Sequence, residues 1–260
     1  MTAATSVTSS VLYEVRNRVA WLTINRPEAR NALSRDVREG LFEGLRRFND
    51  DDSALVLVLT GAGDKAFCAG GDLKEMSQEG LQVPPIDYVP QLGRNITVDK
   101  PTIAAVNGVA FAGGFLLAQT CDLCIAVDEA KFGITEVKVG RGAPWAAPLP
   151  FLIPPRAAME ILLTGDPVTA RRARELGFVN EVVPAGTLEI AAQELAERIA
   201  ANAPLSVRAA KRTVRLIAEM PLEHAYTEAE RIWEPVYLSR DAQEGPTAFR
   251  EKRAPRWEGR

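Results

Sequence analysis

The sequence predicts an α/β protein with one continuous core. Short β-branched runs bounded by glycine alternate with longer segments in which apolar residues recur every three or four positions. No long linker interrupts this alternation before about residue 200. A chain of 260 residues is also long enough to bury a sizeable core without metal or disulfide staples.

The predicted elements begin with two paired strands at residues 11–15 and 19–24. Ser34 is predicted to cap a helix that runs to about Asn49. The apolar face of that helix comprises Val37, Leu41, Leu45 and Phe48. Further buried strands are predicted at residues 54–59, 102–106, 123–127 and 178–183. Residues 80–90, which contain three prolines, are predicted to form a loop beside the functional site.

From Leu188 onward the apolar spacing is that of helices. Two stripes are predicted, formed by Leu188, Ala191, Leu195 and Ile199 and by Val207, Ala210, Val214 and Ile217. Aromatic side chains at Trp233, Tyr237 and Phe249 give this region apolar surface to place against the core or a neighbouring subunit. The predicted organisation is therefore a disordered tail at residues 1–10, a core at residues 11–200 and a helical region at residues 201–260.

The amino-acid composition argues against several classes of function. The chain has 31 Lys and Arg residues against 34 Asp and Glu residues, and no run of basic residues that would neutralise nucleic-acid phosphates. No segment approaches the roughly 18–20 consecutive apolar residues that span a bilayer, and residues 1–10 lack the features of a secretion signal. One histidine and three cysteines are too few for a His-rich metal site or a disulfide framework. We therefore expect a cytoplasmic protein without metal, nucleic-acid or membrane partners.

Two glycine-containing turns are the first indication of chemistry. Residues 66–72 read Ala-Phe-Cys-Ala-Gly-Gly-Asp before a helical segment, and residues 107–114 read Asn-Gly-Val-Ala-Phe-Ala-Gly-Gly before another. Each turn follows a predicted buried strand, where α/β sheets tend to place ligands. The first N–H groups of a helix lack internal partners, so two that converge on one point would form an oxyanion hole. Neither turn matches a nucleotide-binding fingerprint.

Seven short sequence motifs are spread along nearly the whole chain. They are Asn25-Arg26-Pro27 to Asn31-Ala32-Leu33, Ala66 to Asp72, Lys100 to Gly108, Cys121-Asp122, Phe132-Gly133, Leu163-Thr164-Gly165 and Ala248 to Arg253. Together they resemble the crotonase superfamily of enoyl-CoA hydratases and isomerases. The resemblance implies a crotonase-like spiral of ββα units over residues 11–200 with a C-terminal helical region. It also implies homo-oligomers, either trimers or dimers of trimers, for which we expect residues 201–260 to serve.

The resemblance further implies acyl-CoA substrates, with coenzyme A as part of the thioester and no separate cofactor. It assigns the oxyanion N–H groups to Gly71 and Gly113. The remaining residues that it assigns to substrate binding, beside Gly71 and Gly113, are Ala69, Gly70, Asp72, Leu73, Leu116 and Trp145. For Trp145, lining the acyl pocket and filling the core both stay open.

The carboxylates divide the superfamily by reaction. Its hydratases usually carry two glutamates, and here the first position holds Leu116, whereas the second holds Glu136. One carboxylate suffices to move a proton from the α to the γ carbon, so isomerisation of 3-enoyl-CoA to 2-enoyl-CoA is the preferred prediction, with Glu136 as the catalytic shuttle. The run Ala143-Pro144-Trp145 resembles the isomerases at this place. Enoyl-CoA hydration is the alternative within the family, and a non-catalytic acyl-CoA-binding subunit is the alternative from another class.

Overall fold

A computed structural model describes residues 5–260 and arranges them as two β-sheets surrounded by helices. The strands are β1 (Thr5–Thr8), β2 (Val11–Arg16), β3 (Val19–Ile24), β4 (Val56–Gly61), β5 (Ala66–Cys68), β6 (Thr102–Val106), β7 (Val109–Phe111), β8 (Leu123–Val127), β9 (Lys131–Gly133), β10 (Val168–Thr169) and β11 (Glu181–Val183). The helices are α1 (Arg35–Asp50), α2 (Leu73–Glu79), α3 (Gly113–Thr120), α4 (Leu149–Leu152), α5 (Pro155–Thr164), α6 (Ala170–Leu176), α7 (Leu188–Ala200), α8 (Pro204–Glu219), α9 (Leu222–Tyr237) and α10 (Arg240–Glu251).

The larger sheet has the strand order β1-β2-β3-β4-β6-β8-β11. Its first two pairings are antiparallel and the other four are parallel. The smaller sheet has the order β10-β9-β7-β5, in which β5, β7 and β9 run parallel and β10 runs antiparallel to β9. Strands β3, β4 and β6 are buried almost throughout, as expected for parallel strands covered on both faces.

A repeated unit relates the two sheets. Strand β4 lies in the larger sheet, β5 lies in the smaller one, and α2 follows; β6, β7 and α3 repeat this order. Strands β8 and β9 repeat it again, with the short 3₁₀ turn Glu136–Val139 in place of a helix. The predicted α/β class with ββα units and C-terminal helices is therefore confirmed.

The strand and helix predictions hold with shifted ends. Ser34 caps α1 through a hydrogen bond that its side chain accepts from the Val37 N–H. Of the strand predicted at residues 178–183, only β11 is formed, because Phe178 turns into an aromatic cluster with Phe115 and Phe132. Strands β5 and β7 were not predicted: each lies within a segment predicted as a glycine turn, so each glycine pair follows a short strand of the smaller sheet.

The prediction of a disordered tail at residues 1–10 is wrong for residues 5–10. Strand β1 pairs antiparallel with β2, and the Ser10 N–H donates to Asp36 Oδ2 at 3.0 Å. The Thr-Ser-Val-Thr run of β1 has strand propensity, and β2 would otherwise expose unpaired backbone groups at the sheet edge. Residues 1–4 of the predicted tail lie outside the described residues.

The C-terminal helices α8, α9 and α10 form the predicted helical region, but the predicted stripe on α8 is not buried within this chain. Helix α8 buries Ala209 and Leu216, whereas Val214 is 75% exposed. Phe249 on α10 is 87% exposed. The use of this apolar surface for oligomerisation stays a prediction. None of the helices in the described part of the chain combines the length and apolar character that crossing a bilayer requires.

A partly buried ionic cluster connects α8 to the larger sheet. Asp122, just before β8, accepts hydrogen bonds from the N–H and hydroxyl of Thr102 at 2.8 and 2.9 Å. Its oxygens also contact Lys211 Nζ and Arg215 Nη2, both at 2.8 Å. Burial lowers the pKa of Lys211, and the Asp122 charge opposes that shift. Asp122 therefore serves the fold, because it compensates a buried ammonium.

We expect Asp122→Ala to lower the free energy of unfolding by about 3–5 kcal/mol, because it leaves Lys211 buried without its carboxylate. Asp122→Asn keeps the acceptor for Thr102 and should lose less. Denaturant titration measures both. Arg171→Ala is the control, since it breaks the exposed pair with Asp128 and should change stability little. Equal losses for Asp122→Ala and Arg171→Ala would contradict a compensating role for Asp122.

Candidate active site

Three parallel strands of the smaller sheet bring the predicted catalytic residues together. Strand β7 pairs with β5 on one side and with β9 on the other. The chain leaving β5 reaches Gly71, the chain leaving β7 reaches Gly113, and the chain leaving β9 reaches Glu136. Because the carboxyl ends of parallel strands meet at the same edge, these three residues lie around one place.

The two glycine turns are in close contact. Gly70 has a φ of +99°, and a Cβ built on it would lie 2.9 Å from the Ala112 Cβ and 3.7 Å from the Gly113 nitrogen. Only glycine allows both this backbone conformation and this approach. The Leu33 N–H donates to the Gly70 carbonyl at 2.8 Å, which fixes the first turn against the segment before α1.

The backbone N–H groups of Gly71 and Gly113 are free to bind a ligand. Gly113 is the first residue of α3, so its N–H has no acceptor within the helix. Neither N–H donates to a protein acceptor among the described residues, and both glycines line the same cavity. Two donors from separate turns can therefore bind one carbonyl oxygen.

Ala112 holds a strained backbone conformation directly before Gly113. Its φ and ψ are 50° and −116°, a region in which a residue with a Cβ costs roughly 1–3 kcal/mol. The Ala112 N–H donates to the Gly133 carbonyl at 2.9 Å, and its carbonyl accepts from the Leu116 N–H at 3.0 Å. These bonds tie the turn to β9 and α3 and so hold the Gly113 N–H in place.

Asn31 and Arg38 support the glycine turns through hydrogen bonds to backbone carbonyls. Neither of them was predicted as a site residue from the sequence. Asn31 is buried with a φ of 55°, and its Nδ2 donates to the carbonyls of Ala62 and Ala66 at 3.0 and 2.7 Å. Arg38 donates from Nη1 to the Leu33 carbonyl at 2.9 Å. A signal existed for Arg38, since this charged residue shares a helix face with apolar residues three and seven positions later.

A cavity of about 520 Å³ contains most of the predicted site. The predicted residues that line it are Ala69, Gly71, Leu73, Gly113, Leu116, Glu136 and Trp145. The loop predicted at residues 80–90 borders the cavity as expected, with Pro84 and Pro85 among the lining residues. Gly70 and Asp72 do not line it.

Asp72 instead caps α2. Its side chain accepts from the N–H groups of Lys74 and Glu75 and contacts Arg26 Nη1 at 3.0 Å. Burial opposes the shift, but hydrogen bonds from Arg26 and from these two N–H groups hold the pKa of Asp72 below its ordinary value. Its carboxylate is therefore occupied in the fold and is not available as a proton carrier. The nearby Cys68 thiol is also inert, because burial raises its pKa to about 12.

Glu136 has the properties of a proton carrier. It is 8% exposed, and its Oε2 is buried without a hydrogen-bond partner among the described residues. Burial raises the pKa of its carboxyl, against smaller lowering contributions from its own backbone and the Trp145 side chain. The Glu136 carbonyl accepts from the Arg141 N–H at 2.9 Å, which closes the turn that carries the carboxyl.

Helix α3 contributes an apolar wall to the same cavity. Leu116 lines the cavity at the place where superfamily hydratases usually carry a first glutamate, and it is 3% exposed. Phe115 packs edge-on against Phe132 of β9 with ring centroids 6.3 Å apart, and it lies 6.1 Å from the Trp145 ring. This packing fixes the helix that begins at Gly113 relative to the strand that leads to Glu136.

Comparison with known proteins gives one consistent family. The model of the enoyl-CoA hydratase/isomerase family matches residues 14–260. The chain is 41% identical to the (E)-benzylidenesuccinyl-CoA hydratase of Thauera aromatica, over 96% of this chain and 99% of that protein. It is 38% identical to the carnitinyl-CoA dehydratase of Salmonella typhi, over 97% and 100%.

Solved structures agree with this family. A probable enoyl-CoA hydratase/isomerase from Mycobacterium abscessus superposes with a TM-score of 0.87 at 44% identity, covering 96% of this chain and 99% of that one. An enoyl-CoA hydratase from Bacillus anthracis superposes with a TM-score of 0.88 at 35% identity, covering 97% and 100%.

We expect Glu136→Gln to raise the free energy of unfolding at neutral pH. Because burial raises the pKa of Glu136 in the folded state, the ionised carboxylate costs stability at neutral pH, and the amide removes that cost. The gain should shrink as the pH falls and vanish below about pH 4, where the carboxyl is protonated in both states. Denaturant titrations at several pH values measure it, with the exposed Glu160→Gln as control. A gain that is independent of pH would contradict this account.

Proposed function

Because the chain belongs to the enoyl-CoA hydratase/isomerase family of acyl-CoA enzymes, we propose that it isomerises 3-enoyl-CoA to 2-enoyl-CoA with Glu136 as the proton carrier. The observation that carries the proposal is that Glu136 is the single carboxylate among the described residues that line the cavity. CoA enters as part of the substrate along the segment from Ala69 to Leu73, and no separate cofactor takes part.

The thioester oxygen binds between the N–H groups of Gly71 and Gly113. Removing a proton from the α carbon sends the electron pair of the C–H bond into the thioester and creates an enolate oxygen. Two fixed N–H donors stabilise this charge better than water does, because they need no reorientation as it develops. Loss of one such donor typically costs about 3 kcal/mol of barrier.

Glu136 moves the proton. Its carboxylate takes the α proton of 3-enoyl-CoA, and the resulting dienolate spreads its charge from the thioester oxygen to the γ carbon. The protonated Glu136 then returns the proton to the γ carbon, which leaves the double bond between the α and β carbons. The raised pKa of Glu136 suits both steps, since the group must accept and release the proton near the operating pH.

Hydration of 2-enoyl-CoA is the second candidate, and the activities for which the relatives are named favour it. The Thauera aromatica relative is named as a hydratase and the Salmonella typhi relative as a dehydratase. A hydratase with this site would have Glu136 as its single carboxylate for proton transfer, because the Leu116 side chain offers no polar atom. The wall formed by Leu116 therefore favours isomerisation.

We expect the protein to increase the ultraviolet absorbance of 3-enoyl-CoA, since isomerisation conjugates the double bond with the thioester. Glu136→Gln should lower this turnover by at least about a hundredfold, because an amide cannot carry the proton. Stopped-flow absorbance measures the rate.

The same assay with 2-enoyl-CoA separates the alternatives. A loss of conjugation with 2-enoyl-CoA, without a gain with 3-enoyl-CoA, would overturn isomerisation in favour of hydration. Binding of both ligands without any absorbance change would instead indicate a non-catalytic acyl-CoA-binding subunit. Near-normal turnover by a folded Glu136→Gln variant would falsify the role of Glu136.

A further inference from the structure

The substrate cavity contains positive charge that the proposed reaction does not use. Beside Glu136, its charged lining residues are Arg94 and Arg141. Other arginines near the site are paired: Arg26 contacts Asp72 at 3.0 Å and Arg38 contacts Glu75 at 2.9 Å. Within residues 7–260, neither of the two cavity arginines has a carboxylate within ion-pair distance.

The guanidinium of Arg141 is held by one hydrogen bond and keeps further N–H donors for a ligand. Its Nη1 donates to the Leu81 carbonyl at 2.8 Å, which anchors the guanidinium at the loop that follows α2. Its Nε and Nη2 N–H groups have no acceptor in the described part of the chain. A guanidinium has five N–H donors in a planar fork, so this one bond leaves an edge that can bind a carboxylate with two hydrogen bonds. Arg94, in contrast, is exposed and donates to Gln91.

Tyr88 lines the same cavity as Arg141 and supplies a second donor. Its hydroxyl oxygen accepts from Arg38 Nη1 at 3.0 Å, so its own proton remains available to an anion. The Arg38 guanidinium also stacks on the Tyr88 ring, with its central carbon 4.0 Å from the ring centroid. The Tyr88 side chain is thereby fixed where it lines the cavity.

The guanidinium of Arg141 is held away from the proposed thioester site. Gly71 precedes the start of α2, whereas Leu81, which binds Arg141, follows the end of that helix. A helix of seven residues spans roughly 10 Å, so the Leu81 carbonyl that holds the Arg141 guanidinium is separated from Gly71 by about one such helix length. Leu73 and Met76 of that helix, together with Val139, give the cavity apolar lining.

We infer that this enzyme selects acyl-CoA substrates whose acyl chain ends in a carboxylate, which Arg141 binds with help from Tyr88. The inference rests on the proposed acyl-CoA site and names its substrate class. An apolar stem with an anionic end matches the lining, because methylene groups meet the apolar wall and the carboxylate meets the unpaired guanidinium. The CoA diphosphate is the other anion of the substrate, but it would place two charged phosphates in this mostly apolar part of the cavity.

The test uses two saturated ligands of equal length, octanedioyl-CoA and octanoyl-CoA, which can be neither isomerised nor hydrated. Titration calorimetry measures their binding and that of free CoA. The wild-type protein should bind octanedioyl-CoA at least about tenfold more tightly than octanoyl-CoA, as expected for hydrogen bonds to a charged group. Arg141→Met should abolish this preference, and Arg141→Lys should retain part of it. Arg171→Met, on the exposed surface, is the matched control and should keep the full preference.

Three results would overturn the inference. The wild-type protein could bind the two acyl-CoA ligands equally, or the preference could persist in Arg141→Met. Arg141→Met could also weaken both acyl-CoA ligands and free CoA by the same factor, which would assign Arg141 to the CoA phosphates. Failure of both acyl-CoA ligands to bind the wild-type protein would instead contradict the proposed acyl-CoA site itself.

Discussion

The parallel pairing of β5, β7 and β9 is the constraint on which the site depends. These strands are only three residues long, yet their register decides which backbone atoms meet at the edge of the smaller sheet. The Ala112 N–H bond to the Gly133 carbonyl extends the pairing of β7 and β9 by one residue beyond the strands. A slip of one residue would turn the Gly113 N–H away from Gly71 and separate both from Glu136.

The local structure at this edge is unfavourable for stability and is held by the surroundings. Ala112 has a strained backbone, and Glu136 has a buried oxygen that finds no hydrogen-bond partner among the described residues. The larger sheet, the Asn31 hydrogen bonds and the packing of Phe115 against β9 supply the compensating rigidity. Strain at the site with rigidity around it is expected where N–H donors and a carboxyl group must be held in place before the ligand binds. The bound ligand then supplies the hydrogen-bond partners that these groups lack within the described residues.

The sequence predicted those elements whose formation depends on local apolar periodicity or on a short motif. The buried strands of the larger sheet, the cap at Ser34 and the two glycine turns could be read because each depends on local residue types. Strands β5 and β7 could not, since three residues carry too little pattern and are fixed by pairing. The strain at Ala112 also arises from tertiary contacts. The pairing of Thr5–Thr8 with β2 was missed for the same reason.

The central claim is that Gly71, Gly113 and Glu136 act together on the carbon next to a thioester carbonyl. Exchange of that proton with solvent tests it without assuming isomerisation or hydration. In D₂O, mass spectrometry should show the wild-type protein placing one deuterium on the α carbon of a saturated acyl-CoA, and Glu136→Gln should slow this exchange by at least about a hundredfold. Tight binding of the acyl-CoA without exchange, or equal exchange in the variant, would contradict the claim.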